Sequence, residues 1–162
     1  MEKIIIGIGT NLGNKAENIR EAGVFLEKIS TRPIKKASIY ETEPVGIADQ
    51  VFYNTAALIH SGSSATVIFD KIKEFEKILG RNMNAPRWSN RLIDLDIICM
   101  GQAVLHNSQL DIPHKSYKDR LFVLKPMQEI LSDWIDPESG ETISQLLLHA
   151  PEMSISKTAI KW

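Results

Sequence analysis

The sequence predicts a mixed α and β fold in a single domain spanning 1–162, and three observations lead there. Short apolar runs bounded by turn residues alternate with longer stretches that repeat apolar residues at helical spacing. Two strand-like runs follow one another between the first two helical stretches. A length of 162 residues suits one substantial core. Apolar content is ordinary and the formal net charge is -1, so neither disorder nor a broad nucleic-acid-binding field is expected. The single cysteine, Cys99, rules out an internal disulfide and a cysteine-based zinc site, and it reads as a small buried hydrophobe. The opening apolar run is too short for a signal peptide or a membrane span, which makes the cytoplasm the expected compartment.

Lys3 to Ile8 is rich in isoleucine and suits a central strand. Gly9 to Asn14 reads as a turn, and Asn14 with Glu17 as a helix N-cap pair. Ile19, Ala22, Gly23, Leu26 and Ile29 then predict a helix from about Lys15 to Ser30. Gly7, Gly9 and Gly13 are spaced one residue too long for a dinucleotide fingerprint, and no Walker lysine follows, so they read as a strand-to-helix turn. Ile34 to Glu41 predicts a second strand and Thr42 to Gln50 a loop. Phe52 to His60 predicts a third strand, with Phe52 and Asn54 on one face. Pattern alone favours a core phenylalanine and a strand-start asparagine there; the alternative is a stacking face beside an amide that reads a flat heterocycle.

Ser63 or Ser64 caps a second helix with Ile68, Ile72, Phe75 and Leu79 as its stripe and Gly80 at its end. Glu76, one turn earlier, is either exposed or kept for a ligand hydroxyl. Next comes Arg81 to Arg91, holding Arg81, Arg87, Trp88 and Arg91 without an acid, and then Asp94-Leu95-Asp96-Ile97. Arginine donates in pairs to anionic oxygens, and aspartates suit Mg²⁺ shared with substrate phosphates. On a strand, Asp94 and Asp96 point to one face and repel unless a cation lies between them. Metal binding is the favoured reading, against a pair of ion pairs with Arg87 and Arg91. Val104 to Ile112 is irregular, with room for a short hairpin. His114, Lys115 and Arg120 form a second basic cluster. Leu121 to Leu131 predicts a third helix, interrupted or started at Pro126, and Thr142 to His149 a short last one. Phe122 fits core or site equally well, and Pro151 onward reads as a tail.

Taken together, Gly9-Thr10-Asn11-Leu12-Gly13, Tyr40 to Gly46, Phe52-Tyr53-Asn54, Glu76 before Leu79-Gly80-Arg81, Arg87-Trp88, Arg91 before Asp94-Leu95-Asp96, and Ile112-Pro113-His114 before Arg120 to Leu124 resemble the 6-hydroxymethyl-7,8-dihydropterin pyrophosphokinases of folate synthesis. The resemblance covers nearly the whole chain. It implies a ferredoxin-like α+β sandwich, an antiparallel sheet with helices packed on it. It implies transfer of the diphosphoryl group of ATP to the pterin hydroxymethyl oxygen, with AMP leaving and two Mg²⁺ ions held by Asp94 and Asp96. By matching position, Thr42, Glu43, Val45, Phe52, Asn54 and Phe122 are implied for the pterin. Glu76, Arg81, Arg87, Trp88, Arg91, Ile97, His114, Lys115 and Arg120 are implied for ATP, with Arg81 and Arg91 also catalytic. Partners are then the two small molecules, with no nucleic acid or membrane, and a monomer is expected. Met83, Ser89-Asn90 and Lys115 depart from the usual pattern; Met83 and Ser89-Asn90 fall in the arginine loop, so unusual behaviour is expected in its closure, with Lys115 as a compensating point charge. The rivals are another Mg²⁺-dependent nucleotidyl- or phosphotransferase with a D-x-D strand, and a non-enzymatic ferredoxin-like module.

Overall fold

The computed structural model describes residues 1–44, 48–80 and 92–162. In chain order they form strand β1 (Glu2–Thr10), helix α1 (Lys15–Ile29), β2 (Lys35–Lys36), β3 (Tyr40–Thr42), β4 (Phe52–Ser61), α2 (Ala65–Ile78), β5 (Asp94–Met100), β6 (Leu105–His106), β7 (Asp111–Ile112), a 3-10 turn (Tyr117–Asp119), α3 (Leu121–Ile130), α4 (Ile143–His149) and β8 (Ile155–Lys157). The main sheet runs β5-β1-β4-β3-β8, with β2 also on β4, and every pairing is antiparallel. Strands β6 and β7 make a separate hairpin. With its helices packed on both faces, the sheet is the α+β sandwich that the resemblance implies.

Strand periodicity sorts the core into two layers. Ile4, Ile6 and Ile8 of β1 and Leu95 and Ile97 of β5 pack with Ile19, Ala22 and Leu26 of α1 and Ile68 and Ile72 of α2. Burying each isoleucine and leucine among them stabilises the fold by about 1.5–3 kcal/mol. The opposite face places Ile5, Ala56 and Leu58 against Leu124 and Met127 of α3, Trp134, and Ile143 and Leu146 of α4. On that face the odd positions of β1 run Ile5, Gly7, Gly9, so side chains disappear toward its end and the layer opens.

Polar side chains end the helices as their sequences predict. Asn14 Oδ1 accepts from Glu17 N–H at 3.1 Å, Ser64 Oγ accepts from Val67 N–H at 3.4 Å, and Thr142 and Gln145 form a reciprocal capping box. Gly80, with φ of 86°, follows α2 where a side chain would be strained.

Four expectations are corrected. The run from Ile34 to Glu41 is not one strand, because side chains capture its backbone midway. Thr55 Oγ1 and Trp162 Nε1 donate to Ala37 O at 3.1 and 2.8 Å, and Ser38 N–H donates to Glu129 at 2.8 Å. Gly7 and Gly9 lie inside β1, paired with both β4 and β5, and not in a turn. Helix α3 continues through Pro126, whose neighbours Leu124 and Met127 are fully buried against the sheet. The tail is also structured: β8 pairs with β3, and the Trp162 ring packs on Gly23, where an added Cβ would come within 3.2 Å of it.

Candidate active site

Where β1 runs out of side chains, a cavity of about 410 Å³ opens between the sheet and the start of α3. Gly7 and Gly9 form its floor, with Phe52, Asn54, Asp94 and Asp96 from the strands on either side. A Cβ at Gly7 would lie 3.1 Å from the Ile98 side chain, and one at Gly9 would lie 3.3 Å from Asn54 Oδ1. The glycines therefore leave room for the groups beside them. Phe122 and Arg120 supply the helical wall, and His114 and Lys115 the approach from β7.

At one end the cavity is flat and amidic. Asn54 and Thr42 are buried, and Asn54 Nδ2 donates to Thr42 Oγ1 at 2.9 Å. The register explains this contact, since Tyr40 of β3 lies opposite Asn54 and Thr42 opposite Phe52. Phe52 and Phe122 are partly exposed into the same space, and the Arg120 guanidinium lies 5.8 Å from the Phe122 ring centre.

At the other end are carboxylates. Asp94 and Asp96 both face the cavity while Leu95 and Ile97 face the core, as strand alternation requires. Burial raises the pKa of Asp96, Asp94 raises it further, and His114, Lys73 and Arg120 only partly offset this. The surroundings of Asp96 thus disfavour its charged form. His114 is tied to the same strand: its N–H donates to Ile98 O at 2.8 Å, and its Nδ1 accepts from Ser116 N–H at 3.2 Å. Accepting at Nδ1 assigns the proton of the neutral ring to Nε2. Burial lowers the His114 pKa, with Asp96 acting against it, so the neutral ring predominates at neutral pH.

A smaller cavity of about 160 Å³ adjoins the first, lined by Phe69, Leu95, Ile97, Gln109, Leu110 and Asp111 and sharing Asp96, His114 and Lys115. Ile97 therefore lies where a second moiety of a ligand would fit.

The structure does not treat every sequence-named residue alike. Thr42, Phe52, Asn54, Asp94, Asp96, His114, Lys115, Arg120 and Phe122 converge on the main cavity. Glu43 is exposed just past β3 and lines neither cavity. Val45, Arg81, Arg87, Trp88 and Arg91 lie outside the described residues, as do Met83 and Ser89-Asn90. Glu76 is not exposed. It is fully buried, lines neither cavity, and accepts from Leu95 N–H at 2.7 Å and Lys73 Nζ at 2.9 Å. It braces the strand residue between the two aspartates. Lys73 also lines the main cavity, although a lysine on a helix reads in sequence as solvated surface.

Among the described residues no group of three or more His, Cys, Asp or Glu converges as a complete metal cage. Nor is any described helix long and apolar enough to cross a membrane. The aspartate pair is thus the candidate cation seat, and it is incomplete without oxygens from a ligand.

The sequence profile of 7,8-dihydro-6-hydroxymethylpterin-pyrophosphokinase (HPPK) matches residues 5–132. A Haemophilus influenzae protein, 2-amino-4-hydroxy-6-hydroxymethyldihydropteridine pyrophosphokinase, is 33% identical over 144 residues, covering 88% of this chain and 89% of its own. The folate synthesis bifunctional protein of Arabidopsis thaliana is 33% identical over 131 residues, but this chain spans 27% of that protein's length. A crystal structure of Plasmodium falciparum HPPK-DHPS superposes with a TM-score of 0.71 over 91% of this chain and 45% of its own; at 14% identity, that likeness concerns the fold alone. By the profile match and the Haemophilus relative, the chain belongs to the 7,8-dihydro-6-hydroxymethylpterin-pyrophosphokinase family.

Proposed function

We propose that residues 1–162 form one pyrophosphokinase that transfers the diphosphoryl group of ATP to the hydroxymethyl oxygen of 6-hydroxymethyl-7,8-dihydropterin and releases AMP. The observation that carries this reading is a single cleft with an aromatic, amidic end and a carboxylate end on one glycine floor. Phe52 and Phe122 hold the flat pterin between them. With Nδ2 committed to Thr42, Asn54 keeps its carbonyl oxygen for a donor on the ring edge.

The carboxylate end fits Mg²⁺, because its donors are oxygens and too few to satisfy the ion without phosphates. Two Mg²⁺ ions held by Asp94 and Asp96 would neutralise the triphosphate and polarise the phosphorus under attack. His114 offers Nε2–H, and Arg120 and Lys115 offer charged donors, to phosphate oxygens where negative charge develops. Glu76 holds the Leu95 backbone, so both aspartates keep their aim. The nucleoside occupies the smaller cavity beside Ile97. Arg81 and Arg91, with Arg87 and Trp88, are proposed as further triphosphate ligands, and Val45 as a pterin contact. Fixing both substrates in one cleft lets the pterin oxygen meet the β-phosphorus in line.

The test is incubation with ATP, MgCl₂ and the pterin, with AMP and ADP quantified separately. The expected result is pterin-dependent AMP, formed in step with pterin consumption. ADP in its place, or AMP formed without pterin, would contradict the proposal.

A further inference from the structure

Strand β3 and helix α3 supply different parts of the aromatic end of the cleft, Thr42 from the strand and Phe122 from the helix. Their separation sets how far the helical wall stands from the floor. One side chain spans them. Glu129 lies seven residues beyond Phe122 on α3, two turns along and on the same side. Its carboxylate accepts from Tyr40 Oη at 2.6 Å, from Ser38 N–H at 2.8 Å and from Lys157 Nζ at 3.0 Å.

Each of those donors belongs to the strand side. Tyr40 precedes Thr42 by two positions and so shares its face, and it lies opposite Asn54 in the sheet. Ser38 is in the break between β2 and β3, where its N–H turns to Glu129. Lys157 is on β8, which covers the far edge of β3. Burial alone would raise the Glu129 pKa, but the three donors outweigh it and bring it to about 2. The Tyr40 hydroxyl is shifted up by burial and by the same carboxylate, so it stays a donor. The contact is therefore a charge-assisted bond at any working pH.

From this geometry we infer that Glu129 is a positioning residue for the pterin. Through Tyr40 and Ser38 it fixes the distance between the Phe122 wall and the Thr42–Asn54 floor without touching either substrate. The inference rests on the assignment of the aromatic end to the pterin. It predicts a selective effect, because Asp94, Asp96, Lys73 and His114 of the carboxylate end stand on β5, on α2 and in the loop after β7, none of which Glu129 bonds.

The experiment compares Glu129→Gln, Tyr40→Phe and the double variant with wild type in the full-length chain. Pterin affinity is measured by fluorescence titration in the presence of a non-hydrolysable ATP analogue, and analogue affinity by calorimetry. Glu129→Gln should weaken pterin binding about tenfold, the scale of one lost charge-assisted hydrogen bond. It should leave analogue affinity within about twofold, and the KM for pterin should rise while the KM for ATP does not. Tyr40→Phe keeps the Ser38 and Lys157 bonds, so it folds even if Glu129→Gln is unstable, and it should show a smaller loss with the same selectivity. The double variant should be no worse than Glu129→Gln, since the two side chains act as one contact. Unchanged pterin affinity in Tyr40→Phe and Glu129→Gln, or equal weakening of both ligands, would overturn the inference. Phe122→Ala is the reference: if wild type does not bind pterin, or Phe122→Ala binds it as well as wild type, the site assignment fails and the inference with it.

Discussion

Asp96 and Asp136 are two aspartates on the same side of the sheet that the chain treats in opposite ways. Asp136 is buried in the turn after α3, ion-paired with Lys118 and accepting from the Ser139 hydroxyl at 2.6 Å and the Ser139 N–H at 3.1 Å. Burial raises its pKa, yet these donors bring it down to about 2. Asp96 has Asp94 two residues away and, among the described residues, accepts no hydrogen bond; its pKa is raised by burial and then by Asp94. An acid kept for structure is given its donors by the fold. An acid left without them at a cavity wall is the feature on which the proposed cation seat rests.

Three substitutions test that contrast, in decreasing order of effect. Asp96→Asn should reduce AMP formation by roughly 10³-fold, the scale of several kcal/mol of lost charge stabilisation; near-normal turnover would break the contrast. Asp136→Ala should leave the chemistry intact below the melting transition and destabilise the fold by about 1–3 kcal/mol, which calorimetry would record as a Tm lower by roughly 2–10 °C. The sign with pH follows from its lowered pKa. The Asp136 contribution is fully present above the unfolded carboxylate value and is lost as pH falls toward about 2, so wild type and variant melts should converge in acid. Convergence on the alkaline side instead would contradict this. Glu76→Gln should have the smallest effect, about 1 kcal/mol in chemical denaturation, because an amide oxygen still accepts from Leu95 N–H while the charge that pairs with Lys73 is lost. A larger loss of activity than of stability there would show that Glu76 does more than brace β5.

Much of the carboxylate end was legible in the sequence, because strand alternation alone puts Asp94 and Asp96 on one face and their neighbours in the core. The aromatic end was less so. Phe52, Asn54 and Phe122 have spacings that fit a core as well as a site, and only the resemblance separated the two. Gly7 and Gly9 read as a turn because glycine is a local breaker. Their place in β1 is decided by pairing with β4 and β5, which are about fifty and ninety residues away. The break at 37–39 and the ordered tail were hidden for the same reason, since Glu129 and Trp162 act on backbone far from them in sequence. Glu76 could not be assigned from its helix position, as its partner Leu95 lies on another element.

The most direct test is thermal unfolding of wild type and Asp96→Asn, each alone and with MgCl₂ plus a non-hydrolysable ATP analogue. A raised carboxyl pKa means that ionised Asp96 costs the ligand-free fold stability at neutral pH, a cost that vanishes as pH falls below the unfolded carboxylate value. The variant alone should therefore melt higher than wild type at neutral pH, by roughly 2–4 °C for each kcal/mol relieved, and this advantage should fade in acid. Metal and analogue should raise the wild-type Tm and leave the variant nearly unmoved. A variant that melts lower than wild type alone, or that responds to metal and nucleotide as wild type does, would contradict the assignment of Asp96 as a cation seat.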